Sequence, residues 1–266
     1  MVYKDIPGVP QFEEKQFKKK NSEYCVCIPI INEGKRILSE LERANSSGLN
    51  YIVDIIICDG GSKDGSTEHS ILESLGVNCL LTKISQGKQG AQLRMGFWWA
   101  LERGYKGIIT IDGNDKDSIE DIPIFIEKLK EGYDFIQGSR FIKGGKAINT
   151  PFVRYISVRL LHAPIISLTA HHYFTDTTNA FRAYSRKYIT HLDVQPFREV
   201  FSTYELLAYL STRASQLGLK VCEVPVTRAY PQNGKVPTKI SFFKGNYELL
   251  KILIFNMMGK YKPKKR

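Results

Sequence analysis

No apolar run in this sequence reaches the roughly 18 uninterrupted residues that a membrane-spanning helix needs. The two nearest, RLLHAPIISLTAHHYF (159–174) and YELLKILIFNMM (247–258), are too short or are broken by Arg159, His162, Glu248 and Lys251. The N-terminus, MVYKDIPGVPQFEEK, lacks a basic segment followed by an apolar core, so no secretory leader is expected. Cysteines are few and odd in number: Cys25, Cys27, Cys58, Cys79 and Cys222, without paired spacing. Four of them sit in apolar runs, where a thiol behaves as a small hydrophobe; a reducing cytoplasm is expected, with no structural disulfide or zinc. No G-x-G-x-x-G follows the first strand-like run, which argues against a dinucleotide oxidoreductase. Acidic residues are in deficit, 27 against 38 Lys plus Arg, a net charge of +11. The excess lies in KQFKKK (15–20) and GKYKPKKR (259–266) and points to an anionic partner. Neither tail carries a recognition module or interleaved aromatics, so nucleic acid is not the expected one.

What is present, 42% hydrophobic residues in a chain of 266, suffices for a real core. Short apolar runs alternate with helix-like stretches from 24 to 138, the signature of consecutive βαβ units feeding a mostly parallel sheet. Strands are predicted at 24–30, 52–59, 78–83, 107–112 and 134–139, with helices near 35–46, 65–75, 88–103 and 118–131. In the third helix Leu93, Phe97, Ala100 and Leu101 fall on one face, and Gly104 supplies a stop. Ser118 and Asp121 have the spacing of a capping box. Beyond Ser139 the rhythm changes: an amphipathic segment (151–172), a strand NAFRAYS, a helix near 204–217, a strand KVCEVPVTR and a terminal helix over 242–258.

Polar residues collect where the predicted strands end. The first ends in PIINEG, the second in CDGGSKDGST, the third is followed by ISQGKQGAQ, the fourth ends in DGNDKD and the fifth in GSRF. In an open parallel sheet the ligand lies beyond the carboxyl ends of the strands, where loops and helix N-termini converge. Five polar termini in one place make a site.

In that order and spacing, IPIINE, CDGGSKDGST, GKQGAQLRMG, DGNDKD and GSRF resemble the nucleotide-sugar-binding half of the family 2 glycosyltransferases, of GT-A fold. DTTNAFRAYSR (176–186) is similar to a segment of the polyprenyl-phosphate hexosyltransferases, the group containing dolichyl-phosphate mannose synthase. The resemblance covers about residues 24–228. It implies an α/β architecture with a GT-A domain over 24–228, a basic N-terminal extension (1–23) and a C-terminal loop, amphipathic helix and basic tail (229–266).

The resemblance assigns roles by position. Pro29, Asn32 and Glu33 would line the base and ribose pocket, with Asp59 on the base edge. Gly60, Gly61 and Ser62 would let the backbone approach the donor, Lys88 would face the diphosphate, and Gly113 would line the same cleft. Asp112, Asn114 and Asp115 would hold Mg2+ or Mn2+, an oxygen-rich site suited to a hard cation. The third position of the family's D-x-D is Asn114 here, which leaves open whether Asp115 takes over, metal binding is weaker, or Asp115 and Asp117 are the working pair. Arg140 and Arg154 would fork a phosphate on the acceptor, and Asp176 would orient the sugar or act as base. Expected partners are a nucleoside diphosphate-sugar and a polyprenyl phosphate, with inversion in a single displacement. The alternatives are a hydroxyl acceptor in surface-polysaccharide assembly, or a silent nucleotide-sugar-binding protein. The terminal helix, with Phe243, Tyr247, Leu250, Ile254 and Met257 on one face, suits either the inner face of a membrane or a packed dimer contact.

Overall fold

Runs such as CVCIPI and DIIIC carry no solvent-facing alternation, so both of their faces must be covered. The computed structural model describes residues 1–232 and 242–264, of residues 242–244 the backbone only. Its strands are β1 (Val2–Tyr3), β2 (Phe12–Gln16), β3 (Tyr24–Ile30), β4 (Asp54–Asp59), β5 (Cys79–Lys83), β6 (Gly107–Thr110), β7 (Phe135–Ser139), β8 (Lys146–Ile148), β9 (Arg182–Ser185), β10 (Val221–Pro225) and β11 (Thr227–Ala229). Its helices are α1 (Lys35–Ser46), α2 (His69–Ser74), α3 (Gln89–Glu102), α4 (Ile122–Lys130), α5 (Phe152–Ser157), α6 (Ala163–Ala170), α7 (Arg186–Ile189), α8 (Glu205–Gln216) and α9 (Phe242–Met257). A π-turn, Val158–His162, joins α5 to α6.

Nine strands form the main sheet in the order β1-β2-β5-β4-β3-β6-β9-β7-β10. β5, β4, β3 and β6 run parallel, and β9 lies antiparallel between β6 and β7, which keeps β7 parallel to β6. Successive strands leave β3 on opposite sides, β4 on one and β6 on the other, so a crevice opens at the carboxyl end of β3. Along β3 the side chains divide by parity. Cys25 and Cys27 enter a core shared with α3, α6 and α8, whereas Val26, Ile28 and Ile30 enter the opposite core with α1 and α4. All five cysteines lie in strands as free thiols, Cys25, Cys27, Cys58 and Cys79 buried and Cys222 half-buried. Gly96 of α3 allows that helix to lie close, since a Cβ there would stand 2.6 Å from the Cys58 sulfur.

Residues 1–23, expected as an extension, supply β1 and β2. β2 pairs antiparallel with β5, and Phe12 is fully buried. Glu14 fastens this edge: its carboxylate accepts from Tyr3 Oη (2.8 Å), Trp99 Nε1 (3.0 Å) and Arg103 Nη2 (2.5 Å). In FEEKQ a single apolar residue does the burying, too little for a periodicity signal. The Ser118–Asp121 capping box is also not made: the Asp121 carboxylate accepts from Thr227 N–H at 3.1 Å instead.

α9 packs on α6 and α8 through Ile252, Leu253 and Asn256, whose amide donates to Ala208 O (3.0 Å) and Thr212 Oγ1 (3.1 Å). The face expected from the sequence is the outer one, with Tyr247, Ile254 and Met257 exposed; the Phe243 and Lys244 side chains lie outside the described residues. Among the described residues no helix is long and apolar enough to cross a membrane.

Candidate active site

The crevice is built from the strand ends. Ile30 O accepts from Gly60 N–H (2.8 Å) and from Gln92 Nε2 (2.6 Å), which ties β3, β4 and α3 together at their tips. Asp59 is buried, and its carboxylate accepts from Gly61 N–H (3.0 Å), Ser62 N–H (3.0 Å) and Ser62 Oγ (2.6 Å). It therefore shapes the glycine turn. Asn32 closes the other wall: its N–H donates to Ser62 Oγ (2.9 Å) and its side-chain oxygen accepts from Lys63 N–H (2.9 Å). Glu33 pairs with Arg36 at 2.7 Å, Pro29 is half-buried, and Lys88 is exposed just before α3. Pro29, Asn32, Glu33, Asp59, Gly60, Gly61 and Ser62 thus occupy two adjoining strand tips.

The acidic tip follows β6. Asp112 Oδ1 accepts from Gln89 Nε2 (2.9 Å), and Oδ2 accepts from Asn114 Nδ2 (3.3 Å) and Arg228 Nη2 (3.4 Å). Asp115 has a left-handed backbone (φ 59°) and is drawn toward α1: Arg43 Nη2 donates to its carboxylate at 2.8 Å, and its own N–H donates to Glu40 Oε2 at 2.9 Å. Glu40 is fully buried, and burial pushes its carboxyl well above the usual range. Asp117 is buried against Arg228 Nη1; burial pushes it up to about 6 despite that arginine. Among the described residues, Asn114 Oδ1 and Asp117 Oδ1 are buried here without a hydrogen-bond partner, as is Glu40 Oε1 behind them. Such orphaned oxygens beside Asp112 fit a hard cation, which takes carbonyl and carboxylate donors and keeps part of its shell for phosphate or water. Among the described residues no group of three or more His, Cys, Asp or Glu side chains is gathered as a metal cage.

A second constellation lies next to the first. Arg140 and Asp176 form a two-point ion pair, Nε–Oδ2 at 2.6 Å and Nη2–Oδ1 at 2.9 Å, with side chains 1% and 0% exposed. Behind it Glu223 accepts from the N–H groups of Thr175 (2.9 Å) and Asp176 (3.1 Å). The fork expected to hold a phosphate is thus largely committed to the residue expected to orient the sugar or act as base; among the described residues Arg140 Nη1 has no hydrogen-bond partner. Arg154 Nη1 donates to the Tyr230 hydroxyl at 3.2 Å.

Lys116, Arg228 and Tyr230 complete the cluster, and sequence reasoning missed all three. The backbone explains their arrival: Ala229 N–H donates to Lys116 O (2.7 Å) and Ser118 N–H to Thr227 O (3.0 Å), a bridge that lays 227–229 along the acidic tip. Burial and then Arg228 push the Lys116 ammonium down to about 8. Burial raises the Tyr230 phenol, but Arg228, Arg154 and Arg140 outweigh it and leave it below its usual value. The signal available was TRAY (227–230), cations and a tyrosine just past an apolar strand.

Residues 25–192 match the family model for glycosyl transferase family 2. The chain belongs to glycosyl transferase family 2. Among its curated relatives, an undecaprenyl-phosphate mannosyltransferase of Micrococcus luteus is 30% identical over 204 residues, 75% of this chain and 81% of that one. A polyprenol monophosphomannose synthase of Mycolicibacterium smegmatis is 27% identical over 214 residues, 76% of each. Among solved structures, glucosyl-3-phosphoglycerate synthase from Mycobacterium tuberculosis, crystallised with Mn2+, uridine diphosphate and glucosyl-3-phosphoglycerate, superposes with a TM-score of 0.61 at 16% identity, covering 89% of this chain and 80% of that one. The likeness establishes the GT-A fold.

In this glycosyltransferase Gly113 is where the acidic tip crosses the apolar core. A Cβ there would stand 2.5 Å from Ile30 Cγ2 and 3.0 Å from Ile28 Cγ2. Gly113→Ala is expected to cost about 1–3 kcal/mol, the usual penalty of overpacking, and to displace Asp112 and Asn114 on either side. A chemical denaturation curve checks the first effect, and transfer activity falling further than stability checks the second.

Proposed function

We propose that the protein transfers a hexose from a nucleoside diphosphate-sugar to a polyprenyl phosphate, with inversion at the anomeric carbon. The observation that carries this reading is the set of four cations, Lys116, Arg140, Arg154 and Arg228, gathered beside the acidic tip at Asp112. Glycosyl transfer between two phosphorylated ligands requires such an excess, because the diphosphate and the attacking phosphate repel each other until cations lie between them. The curated relatives whose names include a polyprenyl phosphate or polyprenol support the acceptor class.

The donor would lie across the tips of β3, β4 and β6. Asn32, Glu33 and the Asp59–Ser62 turn would border its base and ribose, and Lys88, at the start of α3, would meet its diphosphate. Asp112, with the orphaned oxygens of Asn114 and Asp117, would hold Mg2+ or Mn2+; when bound, such an ion neutralises charge growing on the departing diphosphate. A phosphate acceptor is already anionic near neutral pH, its second pKa being about 6, and can attack without a strong general base. The burial of Asp176 under Arg140 supports a phosphate over a hydroxyl acceptor, since a hydroxyl would need a positioned, accessible base.

A polyprenyl acceptor would bring the enzyme to a bilayer, at its cytoplasmic face in this reading. Phe152, Leu160 and Leu168 of the α5–α6 segment are 76%, 70% and 69% exposed, and Lys260, Lys262 and Lys264 follow α9. An apolar strip with cations nearby favours an anionic interface. The decisive experiment incubates the protein with radiolabelled sugar nucleotides and a polyprenyl phosphate, then partitions the mixture. Label in the organic phase is the expected result, and label confined to water-soluble glycosides would overturn the acceptor.

A pH dependence follows from Lys116. Below about 8 its ammonium is charged and helps to bind an anion; as pH rises through about 8 the charge is lost. Affinity for a lipid phosphate is therefore expected to fall about tenfold on the alkaline side, the worth of one charged hydrogen bond. Acceptor KM measured across that range checks it, and Lys116→Met should flatten the profile.

A further inference from the structure

One aromatic ring gathers three of the site's four cations. The centroid of Tyr230 lies 5.4 Å from Lys116 Nζ, 5.6 Å from Arg154 Cζ and 5.8 Å from Arg228 Cζ. Tyr230 is 3% exposed, and its backbone is pinned on both sides: its N–H donates to Ile148 O (3.0 Å), and Asn149 Nδ2 donates to Tyr230 O (3.2 Å). Arg228 and Arg140 have carboxylate partners, in Asp112 and Asp117 for the one and Asp176 for the other. Arg154 differs. Among the described residues no carboxylate pairs with it, and its hydrogen bond goes to the Tyr230 hydroxyl at 3.2 Å.

Cations this close repel one another, most strongly in a site with little water. Without an anion, a long arginine on a partly exposed helix would swing outward, and ordering it again would reduce affinity for whatever binds. An aromatic face attracts each cation, and a hydroxyl fixes the plane of a guanidinium. We propose that Tyr230 is a positioning residue: its ring and hydroxyl hold Arg154 and Lys116 in the arrangement that receives the acceptor's phosphate, and so set acceptor affinity. This rests on the polyprenyl phosphate reading of the same site and adds the residue that prepares it.

Two variants test it, Tyr230→Phe, which keeps the ring, and Tyr230→Leu, which removes it. Acceptor KM is expected to rise about tenfold in Tyr230→Phe and about a hundredfold in Tyr230→Leu, from the lost hydrogen bond and then the lost ring. The kcat value should stay within about threefold and nucleoside diphosphate binding unchanged, because the donor's contacts are elsewhere. Calorimetric titration with farnesyl monophosphate, a soluble probe, should repeat the order without any turnover. Unchanged acceptor KM in both variants of an active enzyme overturns the proposal. So does a joint loss of kcat and nucleotide binding, the mark of a merely structural tyrosine. If the wild type makes no lipid-linked sugar but binds farnesyl monophosphate more tightly than Tyr230→Leu does, the acceptor assignment fails while the role of Tyr230 stands; if it neither transfers nor binds, both fail.

Discussion

An Asp112→Asn variant is expected to transfer sugar at about a thousandth of the wild-type rate, the upper range for removing one preorganised group that stabilises charge in a transition state. Asp112 is the carboxylate at the tip of β6 that stands between the donor loops and the cation cluster, with Gln89 on one oxygen and Asn114 and Arg228 on the other. Asparagine preserves shape and most of these hydrogen bonds while it removes the charge. The stability cost should be small, about 1 kcal/mol or less, because the ion pair with Arg228 is long at 3.4 Å and the carboxylate is 22% exposed. Asp115→Asn is the control. Its carboxylate is held by Arg43 on α1 with both side chains partly exposed, so activity should change less than about threefold. Single-turnover kinetics and thermal melts on the two variants decide between them. Equal losses would show that Asp115 belongs to the chemistry and that the assignment of the tip is wrong.

The contrast between these aspartates marks where sequence reasoning was sufficient and where it failed. The tip itself was legible: an apolar GIIT run followed by DGNDKD could only be a buried strand ending in a polar loop. The glycine turn at 60–62 and the N-terminus of α3 were legible for the same reason, since each lies within a few residues of the strand that carries it. The direction of Asp115 was not. It depends on Arg43 and Glu40, more than 70 positions earlier in the chain, and on a left-handed φ that any aspartate can adopt at modest cost.

Longer-range placements were less legible still. Arg228 reaches Asp112 and Asp117 because 227–229 bridges to 116–118, a pairing invisible to a window that reads KVCEVPVTR as one strand. Arg182, in the middle of NAFRAYS, reads as the exposed member of an alternating strand. It is 2% exposed and donates to the carbonyls of Thr177 (2.9 Å), Asn179 (2.8 Å) and Leu207 (2.7 Å), which holds the 176–179 loop against α8. Periodicity assigns a residue to a face of its own element. It does not say what a neighbouring element brings to that face.

The Arg140–Asp176 pair yields the largest expected effect on stability. Arg140→Ala leaves the Asp176 carboxylate, fully buried, without its cation, and breaking one side of a buried pair costs about 3–5 kcal/mol. For a chain of this size that corresponds to a fall in Tm of about 10 °C. The double variant Arg140→Leu with Asp176→Leu removes both charges and should recover much of that loss, since apolar replacement of a buried pair is often near neutral. It should not recover transfer, because Arg140 is one of the four cations and the loop led by Asp176 reaches a second, Asn179 Oδ1 accepting from Arg228 Nη1 at 3.3 Å. Thermal melts of the two variants, read beside acceptor KM, separate scaffold from substrate contact. Should Arg140→Ala melt like the wild type while acceptor KM rises, the arginine's fork is held for the phosphate and the ion pair is incidental to the fold.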